Sequence, residues 1–232
     1  MKSIYEFLLN EHLLNEHLLK AKTAASTQDT EYTDYVDLGL PSGRLWAKCN
    51  IGADEPYEYG DYFMWGNTEP DTDKSCFWKT CPFNNGANAY DKDYFKSIKN
   101  KICPNDILAP EYDAATAILG DDWRLPTYDD FTELIDNTTR KWVNDYHDSG
   151  IAGKLLKADS IENDAELFIP ASGYRGGSGY ASQGSYGFLW SSSITIGGGQ
   201  CSWYLYMDDM SLKHGSSSRC YGLCVRPVKE NK

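Results

Sequence analysis

The residue types that most often do chemistry are scattered along this chain rather than gathered. Of seven cysteines, Cys76 and Cys81 stand close in sequence, as do Cys220 and Cys224. Neither pair comes with a second CxxC or a pair of histidines, so the spacing does not suit a zinc site. The four histidines, at positions 12, 17, 147 and 214, are too dispersed to ligate a metal together. Ser191, Ser192 and Ser193 offer three adjacent hydroxyls, but no GxSxG elbow surrounds them, and they read as hydrogen-bonding residues at a strand end. Acidic pairs such as Asp121 with Asp122, or Asp208 with Asp209, are the raw material of a glycosidase. Such pairs are abundant here and single out no site. No glycine-rich phosphate loop joins a strand to a helix. The inventory argues against catalysis.

Recognition chemistry is better supplied, above all between residues 185 and 228, where Trp, Gly, Ser and Arg frame short stretches without pattern. On a strand starting at Cys201, period-2 alternation puts Cys201, Trp203, Leu205 and Met207 on one face as a core set. Ser202, Tyr204, Tyr206 and Asp208 then share the other face, an amphipathic set suited to contacts. Ile194 to Gln200 combines β-branched residues with three consecutive glycines and reads as a loop whose tip touches a partner; Lys213 to Ser218 is a second small-residue turn. Trp123, Trp190 and Arg226 look structural. Arg124 and Arg226 flank apolar residues and Pro, so each is expected to hold a carboxylate or loop carbonyls with its fork of donors.

The elements that position these residues follow from local pattern. Val36 to Gly52 alternates around a Pro-Ser-Gly turn and predicts a β-hairpin. Glu58 to Pro70 reads as an aromatic-rich strand closed by turn residues, and Asp71 to Pro110 as an irregular insertion over the surface. Asp113 to Leu119 suits a short helix. Thr127 is an N-cap for a second, with Asp129 and Asp130 at the positive helix end and Phe131, Leu134 and Ile135 as its apolar stripe.

Residues 1–20 carry the tandem pentad LLNEH, starting at Leu8 and Leu13, without Gly or Pro. They predict a helix apolar around much of its circumference, for docking or oligomerisation. Residues 21–33 read as a flexible linker and 34–232 as the ligand-binding domain. A net charge of −12 and a pI near 4.7 argue against nucleic acid and against an anionic membrane surface, both of which need a basic face. No stretch reaches the apolar length of a membrane span. Glu6, Asn10, Glu11 and His12 interrupt any signal-peptide core, so the chain is expected to be made in the cytoplasm and kept reduced. The odd cysteine count leaves at least one thiol free unless it pairs between chains. Twenty glycines, seventeen tyrosines and seven tryptophans suit a recognition surface, since Tyr and Trp give rigid amphipathic contact area and Gly lets loops adapt.

Six motifs in order, VDLGLPSGRLWAKCNIGA, EYGDYFMWGNTEP, WRLPT, FIPASGYRGG, WSSS and RCYGLCVRPV, resemble the Fibrobacter-type major paralogous domain of the C-type lectin and formylglycine-generating-enzyme superfamily. The resemblance spans roughly residues 34–228. It implies an α+β, C-type-lectin-like fold with short antiparallel strands, one or two helices and long loops, preceded by the N-terminal helix. It further implies a variable protein of a diversity-generating retroelement, whose C-terminal segment is rewritten while the fold is kept. The ligand-binding set would be Leu189, Ile194, Thr195, Ile196, Gln200, Ser202, Tyr204, Tyr206, Asp208, Lys213, His214 and Cys220.

The function so implied is non-enzymatic binding of a bacterial surface protein or glycan by a phage or prophage receptor-binding protein, with no cofactor. Its N-terminal helix would attach it to a virion component or to itself. A cell-surface adhesin is the alternative. The same superfamily holds copper oxidases with a C-terminal cysteine pair. Cys220 and Cys224 lie in the comparable region with thiolates suited to Cu(I), although their spacing and surroundings depart from the enzyme pattern. The sugar-binding tripeptides of calcium-dependent lectins are not matched, so the resemblance names a fold, not a carbohydrate specificity.

Overall fold

The computed structural model describes residues 35–71, 75–159, 163–197 and 199–231. The expected helix at 1–20 and linker at 21–33 lie outside them. Within them, β1 (Tyr35–Asp37) and β2 (Leu45–Ala47) form the hairpin the sequence predicts, with Val36 opposite Trp46. Its turn closes through the Gly43 N–H to the Leu40 carbonyl at 2.8 Å, and Gly43 takes the left-handed φ of +71° that favours glycine. Near the opposite end of the chain, β14 (Val228–Lys229) inserts between β2 and β4 (Trp123–Arg124), so Val228 faces both Trp46 and Arg124. This four-stranded sheet ties the two ends of the described domain together.

Three further antiparallel sheets complete the fold. One runs β3 (Phe63–Met64), β13 (Gly222–Leu223), β8 (Tyr174–Gly176) and β9 (Gly179–Ala181). Another is the meander of β5 (Thr138–Val143), β6 (Gly153–Ala158) and β7 (Glu166–Pro170). The last is β10 (Gly187–Ile194), β11 (Cys201–Met207) and β12 (Leu212–Ser218).

Among the described residues there are three short α-helices: α1 (Lys92–Ile102), α2 (Ala114–Leu119) and α3 (Tyr128–Asp136). Strand residues outnumber helical ones about two to one. The expected α+β, C-type-lectin-like class is therefore corrected: the domain is predominantly antiparallel β, in four small sheets with helices as minor elements. The reason lies in strand length. Eight of the strands are two or three residues long (β1 to β4, β8, β9, β13 and β14), too short to show a period-2 pattern. The supposed strand from Glu58 to Pro70 is mostly loop around the two residues of β3, and the supposedly irregular insertion contains α1.

Each helix has a local cause. Asp91 caps α1 by accepting from the Tyr94 N–H at 2.9 Å, Lys99 and Lys101 complement its negative end, and Pro104 follows its last turn. Asp113 caps α2 in the same way. At α3, Thr127 Oγ1 accepts from the Asp130 N–H at 3.1 Å, and the Asp130 carboxylate accepts from the Thr127 N–H at 2.7 Å, which is a reciprocal capping box. That carboxylate also receives the Arg124 fork at 2.6 and 3.2 Å.

The main core gathers Leu38, Trp46, Phe131, Leu134, Leu156 and Leu205, with Trp46 stacked on Phe131 at 5.7 Å. A second cluster holds Trp65, Phe95, Leu125, Trp190, Ile194 and Leu223. Each such side chain contributes roughly 1.5–3 kcal/mol of burial. No helix among the described residues is long and apolar enough to cross a membrane.

Candidate functional site

The sheet β10–β11–β12 has one face locked into the protein and one face partly open. Its register sets Leu189 opposite Leu205 opposite His214, and Phe188 opposite Tyr206 opposite Lys213. The inner face carries Leu189, Leu205, Met207 and Leu212 into the main core. Helix α3 lies against the same face, where Tyr128 stacks on His214 with centroids 3.7 Å apart and Thr132 Oγ1 is 2.9 Å from His214 Nε2. Burial pushes the His214 imidazole below its usual range, against the smaller opposite pull of Asp136 and Asp129.

The outer face is not uniform along its length. At one end α1 and the segment after it cover Trp190 and Ile194, and Ile107 bridges to Ser193. A register shift between Trp190 and Ile194 bulges the strand there. The bulge explains the three serines: the Ser192 N–H donates to the Pro126 carbonyl at 2.8 Å, and Ser193 Oγ accepts from the Tyr128 N–H at 2.9 Å. They hold a strand to a helix start.

At the other end the face is aromatic and half-exposed. Phe188 meets Tyr204 and Tyr206 edge to face at 5.4 and 5.6 Å, Tyr186 lies 6.0 Å from Tyr206, and Lys213 Nζ stands 5.2 Å over the Tyr206 ring. The row continues onto the neighbouring sheet, Phe188 to Tyr174 at 5.6 Å and Tyr174 to Tyr221 at 5.5 Å. Edge-to-face packing of this kind is worth about 0.5–1.5 kcal/mol per pair beyond burial, so the rings are held in place before any ligand arrives. Tyr206 donates to Asp208 at 2.6 Å, and Asp208 in turn accepts from the Met210 and Ser211 N–H groups. Burial raises the Tyr204 phenol, and burial followed by the Asp208 contact raises Tyr206, so both present neutral hydroxyls.

The residues singled out from the sequence divide accordingly. Tyr204, Tyr206, Asp208 and Lys213 come together on the outer face beside one another. Thr195, Ile196 and Gln200 sit on the loop between β10 and β11, where Ile196 is 96% exposed and Thr195 Oγ1 donates to the Cys201 carbonyl at 2.9 Å. Four of the expected contact residues, Leu189, Ile194, Ser202 and Cys220, are buried. Leu189 points to the main core; Ile194 and its cross-strand partner Ser202 lie under α1 and its neighbours; Cys220 packs with Met64, Cys76 and Cys81. His214 lies on the inner face against α3, not with the tyrosines.

Sequence reading missed Tyr186 and Phe188, although the alternation Tyr186, Phe188, Trp190 carries the signal. It also missed Tyr174 and Tyr221, which no local pattern connects to this sheet. Arg226 and Arg124 act as their residue type suggests. Arg226, fully buried, donates to Asn50 Oδ1 at 2.8 Å and to the Ala47 and Lys48 carbonyls, and Arg124 grips Asp130.

Cys220 and Cys224 do not meet on one face. Cys224 belongs to the main core beside Tyr62 and Ser172, while Cys220 belongs to the small thiol and methionine cluster. Burial pushes the Cys224 thiol up to about 12 and raises Cys220 as well, which disfavours the thiolates that soft-metal ligation needs. Among the described residues no three His, Cys, Asp or Glu side chains are grouped to hold a metal ion. Comparison with family models, with curated proteins and with solved structures gives no match to this chain.

Proposed function

We propose that this protein is a non-enzymatic recognition protein that binds a protein or glycan of a bacterial surface through the outer face of β10–β11–β12. One observation carries the reading: Phe188, Tyr204, Tyr206 and Lys213 form a half-exposed amphipathic row on a sheet whose other face is anchored in the core. Pre-placed aromatic rings with hydroxyl and ammonium groups give contact area at little entropic cost on binding.

The distribution of residues around the six ordered motifs supports a displayed, exchangeable surface of the retroelement-diversified kind. The motif residues Trp190 and Arg226 are buried, whereas Ile196, Gln200 and Lys213, which belong to none of the motifs, are exposed. Substitution at such positions leaves the core contacts intact. On this reading the protein is a receptor-binding component of a phage or prophage particle, joined to a virion partner or to itself through residues 1–20.

The test is binding of the full-length protein to a panel of bacterial strains, beside the double variant Tyr206→Ala, Lys213→Ala, with thermal unfolding as a fold control. Strain-selective binding lost in a folded variant is the expected result. Equal binding by both proteins sinks the assignment to this face. A reverse transcriptase and a template repeat beside the gene are expected if the surface is diversified.

A further inference from the structure

Cys76 and Gly177 form an isolated antiparallel bridge, with the Cys76 N–H donating to the Gly177 carbonyl at 2.7 Å and the Gly177 N–H donating to the Cys76 carbonyl at 3.2 Å. The bridge fastens the segment before α1 to the tight turn between β8 and β9, where Gly177 takes a φ of +59°. Beside it lies a cleft of about 520 Å³. That size falls in the range of roughly 300–1,000 Å³ usual for small-molecule sites.

The lining of this cleft is selective in kind. Of the four exposed aromatic side chains among the described residues, Phe77, Tyr180 and Tyr221 line it, and Trp78 joins them. Gly176, Gly177 and Gly179 also line it. A Cβ on Gly176 would stand 3.1 Å from the Tyr221 ring, and one on Gly177 would stand 3.3 Å from Phe77, so any side chain there would narrow the space between the rings. Asn88 and Ser218 add an amide and a hydroxyl, and among the described residues no charged side chain lines it, in a chain of net charge −12. The Arg175 guanidinium lies 5.3 Å from the Tyr180 ring centre, which helps hold that ring in place.

The lining excludes two ligand classes and fits a third. A charged ligand would give up its hydration with no opposite charge to meet it. A wholly apolar ligand would leave the amide and the hydroxyls without partners. A pyranose ring of a neutral sugar has polarised C–H faces that meet the negative faces of aromatic rings, and a rim of hydroxyls for the amide and hydroxyl groups. We infer that this cleft binds a neutral sugar ring, stacked on Tyr221, Tyr180 and Phe77. The inference rests on the recognition reading above for the origin of the glycan, not for the chemistry of the cleft.

The experiment titrates the full-length protein with methyl glycosides of glucose, galactose, mannose and N-acetylglucosamine, followed by tryptophan fluorescence and by saturation transfer to the sugar C–H protons. Glucuronic acid and cyclohexanol serve as charged and apolar controls. At least one neutral glycoside is expected to bind saturably with a Kd of about 1–10 mM, the weak range usual for a single small ring. Tyr221→Ala and, independently, Phe77→Ala are expected to weaken it at least about tenfold, roughly the loss of one good contact. Tyr206→Ala is expected to leave it unchanged.

Silence from all four neutral glycosides overturns the inference, as does glucuronic acid binding equally well or binding that survives both cleft substitutions. Silence here with Tyr206-dependent binding to cells removes the cleft site and leaves the proposed function standing. Glycoside binding with no cell binding does the reverse.

Discussion

Gly215 lies directly across the β11–β12 ladder from Tyr204, and a Cβ built on it would stand 2.5 Å from the Tyr204 ring. The phenol occupies the space that any other residue at 215 would fill. Its half-buried pose, edge-on to Phe188, therefore depends on a glycine eleven residues away in sequence. Gly215→Ala is expected to displace the Tyr204 ring and to cost about 1–3 kcal/mol, the usual penalty of overpacking. Urea unfolding reads the stability and the strain panel reads the binding. A variant as stable as the parent and fully competent to bind would show that the ring's pose is not what recognises the ligand.

Among the described residues, Arg219 is fully buried without a carboxylate partner. Its guanidinium lies 4.3 Å from the Phe95 ring centre and within 6 Å of Trp65, Trp78 and Tyr90, and it donates to the Pro82 carbonyl at 3.0 Å and to the Gly199 carbonyl. It thus joins the segment before α1, helix α1 itself and the loop after β10. Arg219→Ala leaves a cavity and two carbonyls without a donor, with an expected cost of about 2–5 kcal/mol in chemical unfolding. Arg219→Lys keeps the charge but not the planar fork, and is expected to recover less than half of the loss. Full recovery by Lys would assign the effect to charge alone.

His214 makes stability depend on pH. Its imidazole is held below the ordinary 6.5 by burial, so the unfolded chain binds the proton more readily than the folded one. For a depressed folded pKa the stabilisation is complete above about 6.5 and is lost as pH falls from there toward the folded value. Thermal midpoints are expected to decline from pH 7 to pH 5, and His214→Gln to flatten that part of the profile. An unchanged slope in His214→Gln would assign it to other groups. The Asp130 carboxyl acts lower on the scale. Burial would raise it, but the Arg124 fork and the Thr127 contacts outweigh burial and lower it, so its contribution is lost below the ordinary carboxylate range.

Thiol reactivity is expected to follow burial. Cys49 and Cys201 are half-buried, while burial lifts Cys81 and Cys224 to about 12 and Cys76 and Cys103 to about 11. Iodoacetamide at pH 8 should label Cys49 and Cys201 first and reach Cys224 only on unfolding. Mass spectrometry of peptides gives the order. Native labelling of Cys224 at the rate of Cys49 would contradict the packing described here.

The sequence by itself determined what residues a few positions apart decide between them. The Pro-Ser-Gly turn and its hairpin, the Thr127 capping box and the alternation that parts Leu205 and Met207 from Tyr204 and Tyr206 all arise from local dihedrals and short-range hydrogen bonds. Which side of each strand is covered was decided elsewhere in the chain. Ile194 and Ser202 alternate as correctly as Tyr204 does, yet they are buried because α1 and the segment after it pack over that end of the sheet. Helix α1 was itself hidden, since four of its eleven residues are Lys and its core contacts rest on Phe95 and Ile102. Cys220 and Cys224 share a parity, but the intervening two-residue strand delivers them to different clusters. The aromatic row joins Tyr174 and Tyr221 to Phe188 across two sheets, a relationship with no local period. Burial depends on which distant element lands on a surface, and long-range packing alone settles that.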